Sequence, residues 1–189
     1  MNASHAAFLL VPFLAAAPAL AAGEVPLAPF TAIDASGGAN VILKHGAAQH
    51  VTLLKGDLKV TKFEVRGNTL VITPCEGFWN CPWHYNLTVE VVSPLIERIE
   101  IHGGADLDAK GPFPRQKKLI VEAHGGADVD VRAIAADEAT ADAHGGGDIH
   151  LGEVRALHAE AHGGGDITYR GNPQPLVMQT HGGGSIAKE

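Results

Sequence analysis

A chain of 189 residues has room for one domain and a buried core. Its residues are 46% hydrophobic but only 5% aromatic, with 23 glycines, which disfavours a bulky-cored globule and suits narrow coils of chain joined by tight turns. A net charge of −7 without any basic run excludes nucleic acid and anionic membrane surfaces as partners, because both need clustered Lys and Arg.

Residues 1–22 read as a signal peptide. Phe8 to Leu14 form an apolar core interrupted by Pro12, and Ala15 to Ala22 supply the small residues that signal peptidase requires. The stretch is too short, and too broken by Pro12 and Pro18, to span a bilayer, and no later segment reaches transmembrane length. Residues 23–189 are then a single exported domain, expected in the periplasm, the envelope or the extracellular space. The two cysteines agree with an oxidising compartment. Cys75 and Cys81 bracket a short loop that a disulfide closes, worth roughly 2–3 kcal/mol by the chain-entropy model. A redox pair would more often have two intervening residues than five.

Residues 24–100 alternate as strands around turn residues. Phe30 to Ala35 leads into Ser36-Gly-Gly, followed by Val41-Ile-Leu, Val51–Leu54, Phe63–Val65, Leu70–Ile72 and Leu87–Val92. The pattern predicts irregular first coils and a cap, with the cysteine loop inserted. Ala133–Ala141 is ambiguous between helix and strand.

From about residue 99 to 187 an internal repeat takes over. His-Gly-Gly corners begin at His102, His124, His144, His162 and His181, 22, 20, 18 and 19 residues apart. Period-two apolar residues flank them, such as Leu119, Val121 and Ala123 before one corner and Val129 and Val131 after it. Strand, glycine corner, strand is the reading. One such rung cannot bury its apolar face alone, and stacking rungs solves that, so the expected fold is all-β, a parallel β-solenoid with a less regular N-terminal β portion.

Stacked rungs turn each repeat position into a column with a pitch of about 4.8 Å. One column is the five corner histidines. Two residues earlier stand Glu100, Glu122, Asp142, Glu160 and Gln179. Four residues after each histidine stand Asp106, Asp128, Asp148, Asp166 and Ser185, and two further on Asp108, Asp130, His150, Thr168 and Ala187. Alternation puts the acid and histidine columns on one outward face. Carboxylates at strand spacing repel one another, so the ladder needs hydrogen bonds, protons or metal ions to neutralise it. His102, His124, His144, His162 and His181 with Glu122, Asp142 and Glu160 form the candidate metal-ligating set. Imidazole favours zinc, copper or nickel over calcium.

The start Phe30-x-x-Ile-x-x-x-Gly-Gly-x-x-Val-Ile-Leu, the segments Asn68-Thr-Leu-Val-Ile and Leu87-Thr-Val-Glu-Val-Val-Ser-Pro-Leu, and the serial Gly-Gly-x-Asp-Ile turns resemble the bacterial head GIN domain family of putative auto-transporter adhesins, also called DUF2807. The resemblance covers residues 28–187. It implies the repetitive β fold and an adhesin-like role, and it carries over no catalytic residues. The family's turns usually begin with Ser, as at Ser36, whereas five here begin with His.

Three functions compete at this stage. The leading one is a non-enzymatic envelope scaffold offering a rigid, acidic, His-rich face to an envelope or extracellular partner. The second is a transition-metal-binding protein using the stacked columns. The third is a carbohydrate-active β-helix enzyme, disfavoured because the corners are minimal and a carboxylate ladder specifies no single active site.

Overall fold

The computed structural model describes residues 23–75 and 85–189. Residues 1–22, and with them the signal-peptide reading, lie outside the described residues, as does Cys81. Every regular element is a strand: β1 (Glu24–Val25), β2 (Ala32–Ala35), β3 (Ala39–His45), β4 (His50–Lys55), β5 (Thr61–Arg66), β6 (Thr69–Pro74), β7 (Leu87–Ser93), β8 (Arg98–Gly103), β9 (Asp106–Lys110), β10 (Gln116–Gly125), β11 (Asp128–Val131), β12 (Ala136–Gly145), β13 (Asp148–Gly163), β14 (Ile167–Gly171), β15 (Leu176–Gly182) and β16 (Ile186–Lys188). Of the ambiguous Ala133–Ala141 stretch, residues 136–141 belong to strand β12, whose tertiary pairing overrides the helix propensity of its alanines, and residues 133–135 form the connection into it.

All sixteen strands belong to one nearly closed sheet of mixed orientation. One face runs β5-β6-β2-β8-β10-β12-β13-β15 and the other β1-β4-β7-β3-β9-β11-β13-β14-β16. From β8 onward every pairing is parallel, and along the histidine face it is in register, with His102 beside His124, His144, His162 and His181 in turn. The expectation of a parallel solenoid is corrected at the N-terminal end. There β1 and β4 pair antiparallel, as do β4 and β7, and β5 folds back antiparallel on β6. The Gly67-Asn68 turn between β5 and β6 explains the reversal: a two-residue loop can only join antiparallel neighbours, and Gly67 takes the left-handed φ of +65° that such a turn needs.

The core lies between the faces and follows the predicted alternation. Ile99, Ile101, Leu119, Val121 and Val129 are completely buried, and full burial of each such side chain stabilises by about 1.5–3 kcal/mol. Along the rungs the buried column beside the corner goes from Ile101 to Ala123, Ala143 and Ala161. At the base of the corner Ala105 and Ala127 give way to Gly147 and Gly165, since a Cβ on Gly147 would stand 3.1 Å from the Ala123 methyl. At the capped end the Gln49 amide reaches the Phe30 backbone through both its nitrogen (2.8 Å) and its oxygen (2.9 Å), closing the first coil as a strand would.

A stacked histidine and carboxylate face as the candidate site

On the middle rungs the acids and histidines alternate with inward-pointing residues. In β10, Val121 and Ala123 are buried while Glu122 and His124 face out, and in β12, Ala141 and Ala143 do the same for Asp142 and His144. Parallel register then places like on like. The imidazoles of His102, His124, His144, His162 and His181 stack face to face, with ring centroids 4.8, 4.9, 4.8 and 5.0 Å apart and interplanar angles of 10°, 2°, 2° and 13°. The corner backbone locks the pitch: Gly126 N–H donates to the Gly103 carbonyl at 2.8 Å, and Gly146 and Gly164 repeat the bond one rung later at 2.7 and 2.6 Å.

The acid column lies beside the rings. His102 Nε2 is 3.1 Å from Glu100 Oε1, and His124 Nε2 is 3.9 Å from Glu122 Oε2. Glu160 accepts from His158 Nε2 at 2.8 Å and from His162 Nε2 at 3.4 Å, which holds its carboxyl below the ordinary carboxylate range. Two residues that sequence reasoning missed complete the face. Asp34 stands in register with Glu100 and lies 3.8 Å from His102 Nε2; burial, the largest influence on it, pushes its carboxyl up. The signal for it was present, since Asp34 precedes the Ser36 corner by the offset that separates Glu100 from His102. Arg98 is the other. Its Nη2 bonds Glu122 at 2.7 Å and Glu100 at 3.3 Å, so one guanidinium relieves two neighbouring rungs. Among the described residues, Glu100, His102 and His124 bring ligand atoms within 4.8 Å of one another. His144, His162 and His181 continue the stack without forming a further group of three such donors.

The opposite face carries the aspartates. Toward its C-terminal end the column is hydrogen-bonded rung to rung: Asp166 N–H donates to Asp148 Oδ1 at 2.9 Å, and Ser185 N–H and Oγ donate to Asp166 Oδ1 at 2.7 and 2.8 Å. Those bonds from Ser185 hold the Asp166 carboxyl down. A shallow depression of about 440 Å³ lies over the earlier rungs, walled by Asp106, Asp108, Asp128 and Asp130 with Arg132 and His150. The Arg132 hydrogen bond holds Asp130 down, whereas Asp106 is pushed up, by burial first and by Asp128 next. On this face Asp148 and Asp166 each accept a backbone N–H from the next rung, whereas Asp108 and Asp130 pair with Lys110 and Arg132.

Three solved structures share the fold. A putative adhesin from Bacteroides fragilis superposes with a TM-score of 0.63 at 14% identity, covering 88% of this chain and 95% of that one. A putative lipid binding protein and a putative adhesin, both from Parabacteroides distasonis, give TM-scores of 0.53 and 0.50 at 15% and 16% identity, each over 88% of this chain and 95% of the other. Identities this low establish the fold alone. No curated protein matches the chain. The family model described as "putative auto-transporter adhesin, head GIN domain" matches residues 29–117 and 115–173.

Proposed function

The chain belongs to the head GIN domain family of putative auto-transporter adhesins, and from that premise we propose that it is an exported, non-enzymatic envelope protein whose rungs form a short parallel β-solenoid. It offers its flat acidic and histidine face to an external partner. The observation that carries the reading is the stack of five imidazoles flanked by carboxylates at one fixed pitch. A face made by five strands of one sheet is rigid, and a repeating surface of this kind suits a repeating or cationic partner better than a small molecule. No helix among the described residues is long and apolar enough to cross a membrane.

The test is retention on envelope. Purified chain is expected to co-sediment with envelope fractions in a salt-sensitive way, and a Glu122→Gln, Asp142→Asn, Glu160→Gln variant to lose at least half of that binding. Undiminished, salt-insensitive binding by the variant rejects the face as the contact.

Export implies oxidation, so the Cys75–Cys81 disulfide belongs to the same proposal. Thiol titration of the unreduced, denatured protein is expected to find none free, and two reactive thiols would reject the bond.

A second reading has its own observation. Glu100, His102 and His124 offer a carboxylate and two imidazoles to one ion, with Asp34 next to them, a donor set suited to zinc, copper or nickel.

A further inference from the structure

The two ends of the stack are finished differently. At the N-terminal end the outermost strands are β1, only two residues long, and β5, whose Lys62, Glu64 and Arg66 put a charge at every second position. Short and charged edges are how proteins keep sheets from pairing with other chains. At the opposite end β15 pairs only with β13 and β16 only with β14, and β15 carries neither proline nor a formally charged acid or lysine.

The last rung also leaves apolar surface uncovered. Leu176 and Met178 stand in register with Leu157 and Ala159, which are 3% and 0% exposed, yet they are 39% and 46% exposed themselves. They face the core, and among the described residues no rung covers them. Val177 beside them is 41% exposed.

The charge pattern says what fits there. Two carboxylate columns stop at the last rung, where Gln179 follows Glu160 and Ser185 follows Asp166; the third has already passed from Asp130 to His150 and Thr168 before it ends at Ala187. A carboxylate at those places would be harmless toward water and costly toward a like rung one strand spacing away. Glu189, the remaining acid nearby, is turned back onto Arg170 and Thr168.

We propose that this end is a self-association site, at which two copies of the chain pair antiparallel through β15 about a two-fold axis normal to the faces. A second copy brings a β15 equally free of carboxylates, and with the axis at Val177 the Leu176 of each copy lies opposite Met178 of the other, so the two apolar rows cover one another. The blocked opposite end closes the assembly at two copies rather than a fibre. An axis in that direction leaves both histidine columns on the same side of the dimer. The inference is independent of what the histidine face binds.

Sedimentation velocity of residues 23–189 across a concentration series is expected to give a dimer. Met178→Lys is expected to weaken it at least tenfold while leaving the melting temperature and far-ultraviolet spectrum unchanged. Because the lysine could disturb the rung itself, single Val177→Cys and Gln179→Cys variants supply a second measurement. Both side chains face outward, and directly opposed partners across an antiparallel pair lie about 4.5–5.5 Å apart, so mild oxidation is expected to link at least one of them into a covalent dimer. A monomer at every concentration, a series of higher oligomers, a dimer indifferent to Met178→Lys, or the absence of a cross-link in both cysteine variants overturns the proposal.

Discussion

Replacing Gly163 by alanine is expected to destabilise the protein by at least about 2 kcal/mol, while Gly104→Ala is expected to change stability by no more than about 0.5 kcal/mol. Both are glycines of a His-Gly-Gly corner. Gly163 holds a φ of +89°, where an L side chain costs about 1–2 kcal/mol. A Cβ there would also stand 2.7 Å from the Gly145 carbonyl oxygen and 3.2 Å from the Gly145 Cα. That oxygen cannot withdraw freely, because it accepts the Gly164 N–H at 2.6 Å as part of the ladder that sets the pitch. At Gly104 nothing lies within 4 Å and the backbone is not left-handed. Urea unfolding followed by circular dichroism measures both, and equal losses for the two variants would show that the corners do not depend on close backbone stacking.

Zinc binding is expected to fall at least about 100-fold, roughly 2.8 kcal/mol, in a His102→Ser, His124→Ser variant, and to survive His181→Ser. The second half follows from position: His181 has Gln179 beside it where the other rungs have an acid. The first half needs a small movement. Two ligands of one zinc at about 2.0–2.1 Å each stand at most about 4.2 Å apart, so donors within 4.8 Å must close slightly. The half-buried rings of His102 and His124 have room to tilt out of their parallel stack. Serine is the conservative replacement because Ser36 occupies the equivalent corner. Arg98 competes with the metal for Glu100 and Glu122, so Arg98→Ala is expected to tighten binding. Acidification weakens it, since a protonated imidazole has no lone pair to give. Calorimetry decides the matter: unchanged affinity in the His102→Ser, His124→Ser variant leaves the column as structure only. The wider His124→Ser, His144→Ser, His162→Ser variant then reports whether further ions bind along the stack.

Most of the face could be read from the sequence because a repeat converts spacing into position. Once His102, His124 and His144 are known to recur, parallel register follows, and with it the stacked rings and the acids beside them. The alternation that hid Val121 and Ala123 was equally plain. What stayed illegible depends on neighbours remote in the chain. Arg98 serves Glu122, a partner 24 residues away, and nothing in its local pattern marks it as a bridge between rungs. Asp34 carries the right offset from Ser36, but its corner lacks the histidine that marks the other rungs, and the pairing of β2 with β8 is what adds it to the acid column. The antiparallel strands at the capped end escaped the reading for a related reason. Once the repeat weakens, strand direction is set by loop length and local turn geometry, as at the Gly67-Asn68 turn, and apolar alternation carries no information on direction.

The sixteen residues of β13 enter both faces, crossing between them at Gly152, where a Cβ would stand 2.4 Å from the Ile134 carbonyl oxygen. Register shifts by that point, between His150 and Glu153, and the strand then continues as a member of the histidine face. A joint of this kind couples the two faces thermodynamically. Neither can fray past the fourth rung without stripping the same strand from the other, so melting from the open end meets a single cooperative barrier there. The rungs before it are sheltered from fluctuations that begin behind it.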